Sequence, residues 1–78
     1  MRDVIETIVK RLVGDADAVD VREDERGDGR TTVIEVRVAE GDMGKVIGRQ
    51  GRTVKALRSL LHAAGLKNGR RYVLDIVE

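Results

Sequence analysis

Seventy-eight residues leave room for one domain and one core, and a chain this short buries a modest share of its surface. With 37% charged residues, no cysteine and a single aromatic, Tyr72, disulfides and thiolate metal sites are excluded, and the core must be assembled from Val, Ile, Leu and Ala. No apolar run approaches the roughly 18 residues of a membrane span, and Asp3 and Glu6 rule against a secretory h-region. The expected location is therefore the cytoplasm.

The apolar spacing predicts the elements in order. Residues 3–13 place Val4, Ile5, Ile8, Val9 and Leu12 three and four apart, the signature of an amphipathic helix. Lys10 and Arg11 in its last turns and Gly14 after them mark its end. Ala18 to Glu23 alternates, with Val19 and Val21 on one side, and predicts a strand. Arg26-Gly27-Asp28-Gly29 reads as a turn between strands. Thr31 to Ala39 alternates again, with Ile34, Val36 and Val38 in phase. Glu40-Gly41-Asp42 breaks that strand, and the Asp42 carboxylate is expected to cap the short helical segment Met43–Ile47. Arg52 to Ala64 is the clearest helix, with Gly65 as its expected end and Lys67-Asn68-Gly69 as a loop. Arg71 to Val77 closes the chain as a strand with Tyr72, Leu74 and Ile76 in phase. The order α-β-β-α-α-β fits one α+β domain over residues 1–78, with no repeat and no linker.

The net charge of +1 conceals a strong asymmetry. From Asp15 to Asp28 seven acids stand against two arginines, whereas from Met43 to Arg71 there are eight bases and no acid. A long basic stretch in so acidic a chain points to a surface that meets a polyanion. Inside it lies Val46-Ile47-Gly48-Arg49-Gln50-Gly51-Arg52-Thr53-Val54. Two glycines three apart, between two helical segments, let the backbone bend tightly and let a nucleic-acid strand come close. The following helix offers free N–H groups and its positive dipole end. Arg49 in the bend, with Lys45 and Arg52 beside it, supplies the charge a phosphodiester would meet, and Val46, Ile47 and Val54 are expected to anchor both flanks in the core.

This segment resembles the core of the K-homology (KH) family, in which an apolar pair, a Gly-x-x-Gly loop and an apolar residue three positions beyond it recur. The element order resembles the type II arrangement of that fold over essentially the whole chain, and the length is similar to that of small single-KH bacterial proteins of the KhpA kind. The resemblance implies a three-stranded sheet with three helices on one face. It also implies a groove, bounded by the loop and its two helices, that takes about four unpaired nucleotides. Carried over by residue, Gly48, Arg49, Gln50 and Gly51 match the loop that clamps the backbone, Lys45 and Arg52 flank it, and Lys55 follows on the next helix. Single-stranded RNA is the implied partner, in an RNA chaperone-like, post-transcriptional role. Self-association, or pairing with a larger KH-containing protein of the Jag/KhpB kind tied to cell elongation and division, is implied as well.

At 100° per residue, Val54, Leu57, Leu61 and Ala64 form the core stripe of helix 52–64, and Arg52, Lys55, Arg58 and His62 a basic face. Ala56, Leu60 and Ala63 form a further apolar edge. It is either a widened contact with the first helix or a surface that pairs with another KH domain. His62, the single histidine, reads as a surface residue, and the phase of Tyr72 favours burial in the sheet over stacking on a base. Nothing points to catalysis, a metal or a cofactor. Gly44-Lys45 is followed by Val46 rather than the Ser or Thr of a Walker loop, and the acids of 15–28 lack the pattern of a calcium loop. The competing reading is a protein-interaction module that uses the helix 52–64 face.

Overall fold

The structure, a computed structural model, describes residues 1–77. Its centre is β2 (Thr31–Arg37), whose alternate residues Thr32, Ile34 and Val36 are buried on one side. β1 (Asp20–Glu25) pairs with it antiparallel, with Val21 opposite Val36, and β3 (Arg71–Val77) pairs parallel on the other edge, with Ile34 beside Leu74. The sheet order is β1-β2-β3. The chain joins β2 to its parallel neighbour through α2 (Met43–Ile47) and α3 (Arg52–Asn68), as a parallel pair requires a crossover. α1 (Arg2–Leu12) packs over β1, and α3 over β3.

The core between helices and sheet is built from Val, Ile and Leu. Ile5 and Val9 come from α1, Val46 from α2, and Val54, Leu57 and Leu61 from α3, against Val21, Ile34, Val36 and Leu74 of the sheet. The three helices thus cover one face of the sheet. α1 is further pinned by Arg2, which donates from Nε to the Val21 carbonyl at 2.7 Å.

Several local expectations are corrected. Ala18 belongs to a 3-10 turn (Ala16–Ala18) rather than to the first strand, which starts at Asp20 and runs on to Glu25. The long helix passes through Gly65 and ends at Asn68, where Gly69, in the left-handed region at φ 66°, takes the terminating position. Gly65 serves close packing instead. It is buried, and a Cβ there would run into the Arg70 carbonyl, which leaves the amide of Arg70 free to donate to the Gly65 carbonyl at 2.8 Å. Asp42 makes no side-chain cap on α2. Its carboxylate reaches across to the exit of α1 and accepts from the Gly14 amide at 3.2 Å and the Asp15 amide at 3.0 Å. Ile47 does not anchor α2. Of this five-residue helix Val46 is buried and Met43 packs partly against the core, whereas Ile47 stands about 100° round from Val46, 38% exposed.

Candidate nucleic-acid interface

The bend between α2 and α3 is built by backbone conformation. Gly48 adopts φ 78°, ψ 171°, a region essentially closed to any other residue, and Gly51 is left-handed at φ 73°, ψ 15°. Between them Gln50 is also left-handed, at φ 57°, ψ 26°, and it is the one non-glycine with positive φ among the described residues. Such a conformation costs an L-residue about 1–2 kcal/mol, and the Gln50 side chain is exposed. Gly48 is fixed by packing as well. A Cβ at this position would collide with the Thr53 side chain and come within 2.8 Å of the Thr53 amide nitrogen.

Two backbone bonds close the bend, from the Gly48 amide to the Gly44 carbonyl at 2.8 Å and from the Gly51 amide to the Gly48 carbonyl at 3.1 Å. The amides of Arg49 and Gln50 donate to no backbone acceptor outside their own turn among the described residues. No side chain caps the N-terminus of α3, so its positive end also stays open. Val46 and Val54, both buried, hold the two flanking helices to the core. The result is a fixed bend whose Arg49 and Gln50 amides have no backbone partner outside their own turn among the described residues.

Charge follows the same plan. Arg49, Gln50, Arg52 and Lys55 are all exposed. Among the described residues Arg49, Arg52 and Lys55 engage no carboxylate; Arg52 makes one long contact, 3.5 Å, to the Gln50 side-chain oxygen. Lys45 differs, because its Nζ lies 3.3 Å from Asp42 Oδ1. Asp42 is itself buried, at 6% exposure. The Asp15 and Gly14 amides, and after them Lys45, hold its carboxyl below the usual 3.8. One carboxylate therefore ties the exit of α1 to the helix that leads into the bend.

The acids sit elsewhere. β1, with Asp20, Glu23, Asp24 and Glu25, occupies one edge of the sheet, and α3 lies over β3 at the other edge. Two strand spacings of about 4.8 Å separate the edges. On α3 the basic face and the core stripe fall where the periodicity places them. Ala56, Leu60 and Ala63 are exposed, which removes the account of that edge as a widened contact with α1. Tyr72 is half-buried beside buried Leu74. What sequence reasoning missed is Ile47, an apolar side chain beside the bend. Its signal was the shortness of α2.

A Gly-x-x-Gly bend joining the second and third helices of an α-β-β-α-α-β chain, folded on a mixed three-stranded sheet, defines a KH domain. The match is narrower than that. The family described as KhpA/KhpB, KH domain, matches residues 2–76, and the chain belongs to it. Proteins named RNA-binding protein KhpA are similar over full length. The one from Halalkalibacterium halodurans is 50% identical over 78 residues, covering 100% of both chains. The one from Aquifex aeolicus is 49% identical over 78 residues, covering 100% of this chain and 96% of its own. The one from Chlamydia trachomatis is 39% identical over 79 residues, covering 100% and 97%. No solved structure gives a significant match.

Proposed function

We propose that this protein binds single-stranded RNA, without catalysing a reaction, by seating the sugar–phosphate strand on the bend Gly48-Arg49-Gln50-Gly51. The observation that carries this reading is the bend itself: held at both ends by buried valines, bare of side chains at its two glycines, and flanked by Arg49, Arg52 and Lys55, which engage no carboxylate among the described residues. Phosphates meet the Arg49 and Gln50 amides and the side chains of Arg49, Arg52 and Lys55. Lys45, already shared with Asp42, contributes least. Ile47 offers an apolar surface to a base next to the bend. The names of the relatives support the ligand class, and the role we propose for such binding is post-transcriptional and chaperone-like, in the cytoplasm. The test is the double variant Arg49→Asp/Gln50→Asp in an anisotropy titration with a single-stranded RNA. Affinity should fall at least about tenfold as two donors become two carboxylates, with the melting temperature unmoved. An unchanged affinity would take the bend out of the mechanism.

One observation favours a pairing surface in addition. Leu60 is 39% exposed on α3, between exposed Ala56 and Ala63, and small residues around one larger side chain allow two helices to approach closely. A second copy, or a KH domain of the KhpB kind, covers this edge, and two linked grooves then raise the effective concentration of RNA. Leu60→Asp should shift the protein to monomer in sedimentation and leave its circular dichroism intact. A variant that stays associated places the pairing surface elsewhere.

A further inference from the structure

The two edges of the sheet are finished differently. β1 ends the sheet on one side, and its Val21 carbonyl is already taken, because Arg2 Nε donates to it at 2.7 Å. Glu23 holds Arg2 there by accepting from its amide at 2.9 Å. β3 ends the sheet on the other side without such a cover. Its Arg71 amide donates to the Arg30 carbonyl at 3.0 Å, and its Val77 carbonyl accepts from the Val38 amide at 3.3 Å. Alternation then turns the peptide groups of Arg71, Val73, Asp75 and Val77 toward β2, and those of Tyr72, Leu74 and Ile76 out of the sheet. A bare edge of apolar, strand-forming residues is a template for another strand. We propose that a second copy of this chain pairs with it, β3 antiparallel to β3, across a two-fold axis at Val73. The inference rests neither on RNA binding at the bend nor on the α3 edge around Leu60.

Charge selects both the partner and the register. Arg71, Val73 and Asp75 alternate with buried Leu74, so their side chains lie on the face away from the helices, and all three are exposed. Neither Arg71 nor Asp75 makes an ion pair among the described residues. β2 offers Asp75 no cation, since its neighbour in the register is Glu35. With the axis at Val73, Arg71 of each copy stands opposite Asp75 of the other, twice in the dimer. The same register sets Tyr72 opposite Leu74. Both have peptide groups that face outward, so each such pair exchanges two backbone hydrogen bonds. Val73, 37% exposed, meets its own copy at the centre, in a non-hydrogen-bonded pair where side chains come closest. An axis at Leu74 would set Arg71 against Val77, and an axis at Asp75 would set two carboxylates face to face. One register satisfies backbone and charge together.

The contact is small. One strand of seven residues on each side falls short of a standard interface. Protein carrying Leu60→Asp is therefore monomeric when dilute and pairs through β3 when concentrated.

The experiment follows amide hydrogen exchange and sedimentation of the full chain over a concentration series, with Leu60→Asp in the sedimentation arms to remove the α3 edge. Protection of the Tyr72 and Leu74 amides should rise with concentration, a change that pairing through α3 does not produce. Arg71→Asp and Asp75→Arg, both at exposed sites, should each raise the dissociation constant at least about tenfold, because two ion pairs in the dimer become two repulsions. An equal mixture of these two variants should pair again as a heterodimer, since each cross-strand position is then complementary. The chain carrying both changes should pair with itself as the parent does. Exchange at Tyr72 and Leu74 that ignores concentration overturns the proposal, as do single variants that pair as well as the parent. A mixture that stays monomeric while circular dichroism shows both variants folded overturns it too. Protection that appears only on adding a single-stranded RNA gives the edge to nucleic acid and overturns it equally. None of these outcomes depends on Arg49→Asp/Gln50→Asp, which decides the bend.

Discussion

Two glycine-bearing turns in this chain solve opposite problems. Arg26-Gly27-Asp28-Gly29 joins β1 to β2 and satisfies itself: the Asp28 carboxylate accepts from the Arg30 and Thr31 amides at 2.9 and 2.8 Å and from the Thr31 hydroxyl at 2.7 Å. Its glycines have nothing within 4 Å of where a Cβ would stand. Gly48-Arg49-Gln50-Gly51 has no carboxylate to satisfy it, leaves the Arg49 and Gln50 amides without a backbone partner outside their own turn among the described residues, and is wedged by Thr53 against Gly48. One turn spends its donors on itself and stands in open space. The other is fixed by packing from behind and leaves its donors for a ligand.

The largest effect should come from breaking that packing. Gly48→Ala puts a methyl into Thr53 at φ 78°, so the bend must rearrange, at a cost of about 2 kcal/mol or more. Urea titration should show the loss, and RNA affinity should fall with it because the Arg49 and Gln50 amides lose their places. Gly29→Ala, also at positive φ (71°) but in open space, should carry only the conformational cost of about 1 kcal/mol and bind RNA as before. Gly27→Ala should be close to neutral. Equal losses at Gly48 and Gly29 would mean that the Thr53 packing does not hold the bend.

A smaller effect separates the two carboxylates. The Arg30 and Thr31 amides and the Thr31 hydroxyl bring Asp28 from 3.8 down to about 2, and Asp42 is lowered by the Asp15 and Gly14 amides. For a carboxylate whose folded value is depressed, the contribution to stability is complete above the unfolded value and is lost as the pH falls through the folded one. Melting temperature should therefore hold down to about pH 5 and decline below 3.8 toward about 2. Asp42→Asn should lower the melting temperature at neutral pH and flatten the acid decline. It should also loosen α2, and so weaken RNA binding. Asp28→Asn should flatten the same decline and leave RNA binding at the bend alone, since its turn lies away from the bend. If both substitutions affect RNA equally, the Asp42 tether does not position α2.

The order of the elements was legible because it rests on periodicity, which local sequence carries: Ile34, Val36 and Val38 in phase, or Val54, Leu57 and Leu61 at helical spacing. The bend was legible because two glycines between apolar anchors have few other uses. What escaped depends on partners distant in sequence. Gly65 reads as a stop signal, and only the approach of Arg70 shows that it is a packing site within the helix. Asp42 reads as a cap because its partners, Gly14 and Asp15, lie 28 and 27 residues away. Arg30, whose carbonyl accepts from the Arg71 amide at 3.0 Å, meets β3 only through the parallel pairing of β2 with β3, a register that no alternation pattern encodes.

The same distant partner sets the finest contrast, between two cations that flank the bend. Contact with about three phosphates gives a log K against log salt slope near −2, at about 0.7 per phosphate on a single strand, or roughly a tenfold to twentyfold loss between about 50 and 200 mM salt. Arg52 has no acid on it, so Arg52→Gln should remove one such contact and reduce the slope by about 0.7. Lys45 already lies 3.3 Å from a buried carboxylate, and a phosphate must compete with that partner, so Lys45→Gln should change the slope by less than half as much. In sequence the two look alike, one basic residue on each side of the glycines. Titrations at three salt concentrations distinguish them, and equal slopes for the two variants would show that Lys45 exchanges Asp42 for RNA on binding.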